Sequence, residues 1–386
     1  MRVCTSRTSC GKLLAPQARI PELDTLRAFA VFAVLSHHYL LGFLPQLGWM
    51  GVDLFFVLSG YFITTILLAA RGSQNYYSRF YMRRALRILP LYYLQVGGIL
   101  LYSILASSGA AYEELVKGWG SPLWFWFYAG NIRSAVLNAF PPNFSLTLLW
   151  SVQVEEQFYI LYPLLIALVP PKHLRRVLTG TIAAALLLRI GLALAVPGHW
   201  RLQFVLMPCR MDDLAMGALI ADYFRSSQWP LRSKTTLLFA AAGLMLISVL
   251  IYFNGPSWQS LAMGTIGFTL IGVTGMMTVA WVVLNAGKPS TKYLRLRPLC
   301  WAGSISYGVY LLHGPVALAI KTMVYRLGYH SFDKTPLSAL IYTAATLTIA
   351  AASFRWMEEP ILKSRIHLEQ WLFNAPERKN RNANAT

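Results

Sequence analysis

The sequence predicts an all-α polytopic integral membrane helix bundle of about ten transmembrane helices, and three observations carry that prediction. Of the 386 residues, 56% are hydrophobic and only 13% charged, far from the balance of a soluble domain. Apolar runs long enough to cross a hydrocarbon core of roughly 30 Å, which takes about 20 helical residues, recur from one end of the chain to the other. Basic residues then collect in alternate connecting segments, the pattern of a chain that crosses a membrane repeatedly.

In chain order, a polar leading segment without the character of a cleaved signal peptide precedes the first run, Leu26 to Leu44. Between the second run (Met50 to Ala70) and the third (Leu86 to Ala106) lie Arg71, Arg79, Arg83 and Arg84, with Arg87 just inside the third. After the third run, the segment from Pro122 to Phe140 is rich in Trp and Phe but broken by Asn131 and Arg133 and closed by Pro141 and Pro142. Counting it as a crossing would send every later basic loop to the opposite side, so it is assigned as re-entrant or interfacial. Seven more runs follow: Leu146 to Val169, Val177 to Val196, Phe204 to Phe224, Thr236 to Phe253, Leu261 to Leu284, Trp301 to Ile320 and Leu337 to Trp356.

With the N-terminus in the cytoplasm, most of the 34 Lys and Arg residues fall inside, and the outer segments keep only Lys117, Arg133, Arg201, Lys321, Arg326 and Lys334. Both termini are therefore assigned to the cytoplasm. A net charge of +19 distributed in this way is a topology signal, not a nucleic-acid surface. The expected organisation is a cytoplasmic tail at 1–20, a transmembrane domain at 21–360 and a polar, fraying cytoplasmic tail at 361–386. Cys4, Cys10, Cys209 and Cys300 form no metal-spaced pair and are expected to be reduced thiols without a role.

Ionisable side chains inside the runs carry the functional signal, because a charge at the bilayer centre costs roughly 2.5 to 3.5 kcal/mol or more and so marks a site by default. At about 1.5 Å per residue, His38 in the first run, Glu155 and Glu156 in the fourth, Arg210 with Asp212 and Asp213 in the sixth, and His313 in the ninth reach one layer. Arg27 and His38 share a stripe of the first helix, while His37 lies about a quarter-turn away. A lone His is ordinarily a hydrogen-bonded interior residue. The stripe shared with Arg27 and the depth shared with Glu155 favour His38 as a functional imidazole, able to accept and return a proton.

The other candidates keep two readings. Glu155 and Glu156 are adjacent and cannot both face one way; either suits the site or a structural ion pair. Spacing makes Asp213, at i+3, the intrahelical partner of Arg210, a pair suited equally to scaffold and site. His313, followed by Gly314 and Pro315, is expected at a kink. Arg83 and Arg87, one turn apart, suit a lipid headgroup anchor or a phosphorylated cytosolic ligand.

These stretches resemble the bacterial membrane acyltransferase family 3, integral-membrane O-acyltransferases of surface glycans and small glycosides. The likeness begins at Ile20 with IPELDTLRAFAVFAVLSHH, where Arg27 and His38 match the family's Arg and His. It continues through GVDLFFVLSGYFIT from Gly51, which contains Asp53, and FYMRRALRILPLYYL from Phe80, with Arg-x-x-x-Arg at Arg83 and Arg87. WSVQVEEQFYILYP from Trp150, RMDDLAMGAL from Arg210, SISYGVYLLHGP from Ser304 and FRWMEEP from Phe354 complete it. Thr25 stands where the family commonly has Gly, and Leu312 and Gly314 flank His313 where aromatic residues are usual.

The resemblance implies transfer of an acyl group, most often acetyl, from cytoplasmic acyl-CoA to a sugar hydroxyl of a cell-surface glycan or glycoside, by a multi-pass protein of the bacterial cytoplasmic (inner) membrane. His38 is then the catalytic imidazole and Glu155 supports it. Arg27, Arg83 and Arg87 serve the donor side, and Asp53, Arg210, Asp212 and His313 form a supporting polar core. The family pattern thus chooses Asp212 where spacing chooses Asp213. Acyl-CoA is a co-substrate, no permanently bound cofactor, metal or nucleic acid is implied, and 386 residues leave no room for the outer domain that some members append.

Such chemistry fits the residues. Acyl transfer to a hydroxyl needs a base for the nucleophile's proton and donors where charge develops on the carbonyl oxygen. His38 suits a direct route as base or a two-step route as acyl carrier, with Glu155 orienting its ring. A proton-coupled secondary transporter is the alternative for the same His, Glu, Arg and Asp set, though the sequence has no convincing internal repeat.

Overall fold

The computed structural model describes residues 19–40, 47–105, 113, 117–329, 332 and 335–373. Cys4, Cys10, most of the expected 1–20 tail and the end of the 361–386 tail lie outside the described residues. The chain is all-helical, 84% helix with no strand among the described residues. The helices are α1 (Pro21–Tyr39), α2 (Gly51–Ala70), α3 (Tyr76–Leu105), α4 (Leu123–Trp126), α5 (Gly130–Leu137), α6 (Phe144–Thr147), α7 (Trp150–Leu168) and α8 (Pro171–Ala195). Then follow α9 (Trp200–Val205), α10 (Met207–Arg225), α11 (Ser233–Asn254), α12 (Phe268–Leu284), α13 (Arg297–Ser304), α14 (Ser306–Arg326), α15 (Pro336–Ser353) and α16 (Glu359–Phe373).

Among the described residues, six segments are long and apolar enough to cross a membrane: Gly48–Ala70, Tyr76–Leu105, Pro171–Ala195, Ser233–Asn254, Met263–Leu284 and Pro336–Phe373. A seventh is added if α13 and α14, bent by 68° at their junction, count as one span. The other three helices where the sequence has apolar runs, α1, α7 and α10, have 19 residues each. That is about 28 Å at 1.5 Å per residue. They lack the required apolarity because they carry Arg27, Glu155 with Glu156, and Arg210 with Asp212 and Asp213. Buried charges, whether they serve a site or hold the scaffold, are what dilute these three runs.

Local signals set the helix ends. Pro21 occupies the first turn of α1, with Glu22 and Asp24 beside it, acidic charges that suit the positive end of the helix dipole. Thr335 and Ser338 close a reciprocal capping box on α15, with Pro336 at its start. Two expectations shift. The Arg83 to Arg87 cluster is no loop, because α3 begins at Tyr76 and runs 30 residues. The bend expected near Pro315 lies instead at Ile305, between α13 and α14, and α14 continues through Pro315.

At the centre, α2 packs on α10 and α1, and α10 on α8. The α2–α10 crossing rests on reciprocal glycines: a β-carbon on Gly60 would overlap the Leu214 carbonyl, and one on Gly217 the Val57 carbonyl. Small residues let the two backbones approach where no aqueous hydrophobic effect drives helices together. Burial follows the same logic. In α2, 61% of the apolar window is buried, against 22% in α8 and α11, which turn most of their apolar surface outward as lipid-facing helices do.

The aromatic segment after α3 forms short helices, α4 and α5, too short to cross. Tyr92 donates to the Phe125 carbonyl at 2.7 Å, and the Tyr93 and Trp126 rings stack. The Asn131 backbone N–H donates to Gln153 Oε1 at 2.6 Å and its side-chain amide donates to the Val205 carbonyl, which ties α5 to α7 and α9. Glu359–Phe373, expected to fray, is helical and docks on α3 through a two-pronged Arg83–Glu369 pair at 2.8 Å.

Candidate active site

His38 sits in the last turn of α1 and meets His313 of α14: His313 Nε2 and His38 Nδ1 are 3.0 Å apart, and the rings stack 5.0 Å between centroids. His313 Nδ1 lies 2.5 Å from the Tyr310 carbonyl. A carbonyl only accepts, so Nδ1 of His313 carries the proton. With both rings neutral, Nε2 of His313 then accepts from His38 Nδ1–H, and the free lone pair of His38 is on Nε2. Tyr39 fixes the partner helix by donating to the His313 carbonyl at 2.8 Å, and its hydroxyl also meets Thr346 of α15 at 2.9 Å. Phe144 of α6 covers another edge of His38, with ring centroids 5.2 Å apart. His37, as its phase predicts, turns aside, against Trp258.

Below this pair a cavity of about 280 Å³ runs along α1, α2, α3, α7 and α14. Neither histidine lines it, but Tyr310, three residues before His313, does, together with Ser151 and Val52; Asp24 and Arg27 of α1 and Arg84 and Arg87 of α3 complete its polar lining. From Val52 to Ile66, both in its wall, α2 advances about 21 Å. Tyr310 connects the two levels. Its carbonyl holds His313, its ring lines the cavity, and its hydroxyl bonds Ser151 at 2.6 Å.

Glu155 lines the middle of the cavity, where it accepts from Ser59 at 2.8 Å and from Tyr159 at 2.9 Å. The expectation that Glu155 orients His38 is therefore corrected: His313 holds that position. Glu156 points elsewhere in the interior, buried, with Oε1 lacking a hydrogen bond within the protein. Of the basic cluster, Arg84 and Arg87 line the cavity and Arg83 does not. Arg83 lies about 100° from Arg84 around the helix, with Arg87 between them in phase, and Arg83 is drawn towards Glu369. Arg84 Nε is buried without a hydrogen-bond partner. Arg27 keeps only a long 4.0 Å contact with Asp24, which Arg19 engages at 2.7 Å. Guanidinium groups with donors to spare in the lining of a slot are matched to an anionic ligand.

The remaining candidates form a separate buried ionic network. Arg210 pairs with Asp53 and with Asp213, the latter at 2.9 Å, so spacing gave the correct partner. Asp212 belongs to Arg189 of α8 at 2.7 Å and accepts from Thr269 at 2.8 Å. Arg189 also donates to the Cys209 carbonyl. Each of these five ionic side chains is nearly fully buried, and none lines the cavity. The network joins α2, α8, α10 and α12, and its place is in the scaffold.

Sequence reasoning missed Arg189, Arg84, Ser59 and Tyr159. A signal existed for Arg189: it stood inside a span beside three intramembrane aspartates that Arg210 alone could not neutralise. Ser59 and Tyr159 carried none, because hydroxyls are common in spans. Cys209 and Cys300 are unpaired.

A multi-pass helical protein with a hydrogen-bonded imidazole pair beside an arginine-lined slot fits a class of intramembrane group-transfer proteins. The acyltransferase domain model matches residues 20–355, and the chain belongs to this membrane acyltransferase family. It is similar to the peptidoglycan O-acetyltransferase OatA of Listeria monocytogenes, 30% identical over 364 residues, covering 89% of this chain and 56% of that protein. The O-acetyltransferase OatA of Staphylococcus aureus is 26% identical over 377 residues, covering 91% of this chain and 58% of the relative. The chain thus spans about half the length of the curated relatives it matches. No solved structure matches it significantly.

Proposed function

We propose that this protein moves an acetyl group from cytoplasmic acetyl-CoA to a hydroxyl of a cell-surface glycan, with His38 as the general base. The reading rests on one observation above the rest: a slot lined by Arg27, Arg84 and Arg87 extends to Tyr310, whose carbonyl holds the His313 that meets the imidazole of His38. The arginines bind phosphates of CoA at the inner face, and the thioester extends towards His38. His38 Nε2 takes the proton of the acceptor hydroxyl, whose oxygen bonds to the acyl carbon. The C–S bond then breaks, and the CoA thiolate leaves and takes up a proton. The Ser59–Glu155–Tyr159 group lines the thioester's path and keeps it polar.

The accompanying topology has ten spans, with α1, α7, α10 and the bent α13–α14 pair added to the six apolar segments. Both termini are in the cytoplasm of a bacterium bounded by its inner membrane, and α4 and α5 lie at the outer interface. The family assignment supports acyl transfer over proton-coupled transport. Because the relatives are named for O-acetylation, peptidoglycan among their targets, a wall or surface polysaccharide is the acceptor class favoured. Mass spectrometry of surface glycans tests this: deleting the gene removes a 42 Da acetyl increment (about one C₂H₂O per acetyl) that the wild-type gene restores. Unchanged glycans in the deletion strain would contradict it.

A further inference from the structure

A second cavity, of about 670 Å³, lies between α3 and α14 on the His38 side of the bundle and is floored by α6. Its walls are apolar, yet two buried polar residues line its floor. Gln95, 5% exposed, spends its amide N–H on the Ser145 carbonyl at 3.3 Å and leaves Oε1 unpaired. Ser145, 1% exposed, leaves its hydroxyl unpaired. Two buried, unmatched oxygens cost free energy unless a ligand's O–H or N–H groups reach them.

That floor adjoins the imidazole pair. Phe144, which packs edge-on against His38, precedes Ser145 in the chain. Gly314, which follows His313, faces Ser145 so closely that a β-carbon there would sit 3.0 Å from its hydroxyl oxygen. Arg326, exposed at the far end of the groove, adds a positive charge. We infer that this groove is the acceptor subsite: it seats a sugar of an acidic surface glycan, whose hydroxyls donate to Gln95 Oε1 and Ser145 Oγ and whose ring C–H faces lie on Leu312 and Pro315. The proposal rests on the acyl-transfer reading and deepens it, giving the acceptor a place distinct from the arginine-lined donor slot.

Gly98 supplies a clean probe. It lines the groove, and a β-carbon there meets nothing within 4 Å, so Gly98→Leu fills the groove without disturbing the fold. A deletion strain is complemented with wild type, Gln95→Leu, Ser145→Ala and Gly98→Leu. Surface-glycan O-acetyl content is then measured by mass spectrometry, and acetyl-CoA affinity on the detergent-purified proteins. Loss of one buried hydrogen bond lowers a rate by about five- to ten-fold, so initial O-acetylation falls by that factor in Gln95→Leu and Ser145→Ala, and Gly98→Leu lowers it by occupying the groove, while acetyl-CoA affinity stays within about two-fold in all three. Wild-type acetylation in the variants overturns the subsite, as does a parallel loss of acetyl-CoA binding. Failure of the wild-type gene itself to restore acetyl groups overturns the acyl-transfer reading, and the subsite with it.

Discussion

His38 has one lone pair free for chemistry because His313 fixes which nitrogen that is. The Tyr310 carbonyl holds His313, and His313 in turn receives the proton of His38 Nδ1, so the ring is oriented and its tautomer set by one short chain of contacts. A residue that acts in this way is tested by a conservative replacement. Gln at 313 keeps an acceptor for His38 Nδ1–H, whereas Leu does not. The expected rate of acetyl transfer falls roughly 10²-fold for His313→Leu and clearly less for His313→Gln, with KM for acetyl-CoA unchanged in both. Equal losses would reduce His313 to a packing residue. Phase along α1 made His38 legible in the sequence and separated it from His37. Its partner was not legible, because depth alone placed Glu155 and His313 equally near, and only the packing of α14 on α1 separates them.

At the scale of elements, α3 divides its arginines by face. Arg84 and Arg87 turn to the slot, while Arg83 anchors α16 through Glu369. Kinetics on the purified protein should follow this division. Arg87→Ala raises KM for acetyl-CoA by about ten-fold, the loss of one charge-assisted contact, and Arg83→Ala leaves that KM within about two-fold. The reverse order would return the donor site to the Arg83 face. A four-residue step had suggested Arg83 with Arg87, and that geometry is real; what the sequence could not convey is which side of α3 meets the cavity. The buried network of Arg189, Arg210, Asp53, Asp212 and Asp213 was half legible for a related reason. Spacing found the pair within α10, whereas the Arg189–Asp212 pair joins two helices and has no local signature.

For the whole molecule, the all-helical class and the positions of the long helices were written in the apolar runs, because each hydrocarbon-length stretch must satisfy its own backbone hydrogen bonds as a helix. Of the helices that line the slot, α1 and α7 were the least span-like by composition. The bend at Ile305 and the helical tail through Phe373 escaped because neither rests on hydropathy. The proposed ten-span topology has a direct consequence for labelling in intact cells. A cysteine placed at Ser73, between α2 and α3, is protected from a membrane-impermeant maleimide, and one placed at Gly198, between α8 and α9, reacts. The opposite result would invert the topology and put the arginine-lined slot on the wrong side for a cytosolic donor.

Release of free CoA from acetyl-CoA by purified wild-type and His38→Ala protein, supplied with surface glycan from the deletion strain, is the most direct measurement of the central claim. Wild type is expected to release CoA in step with acetyl gained by the glycan, and His38→Ala to do so at least about 100-fold more slowly while binding acetyl-CoA as before. Equal turnover by the two proteins, or none by the wild type, would contradict the account.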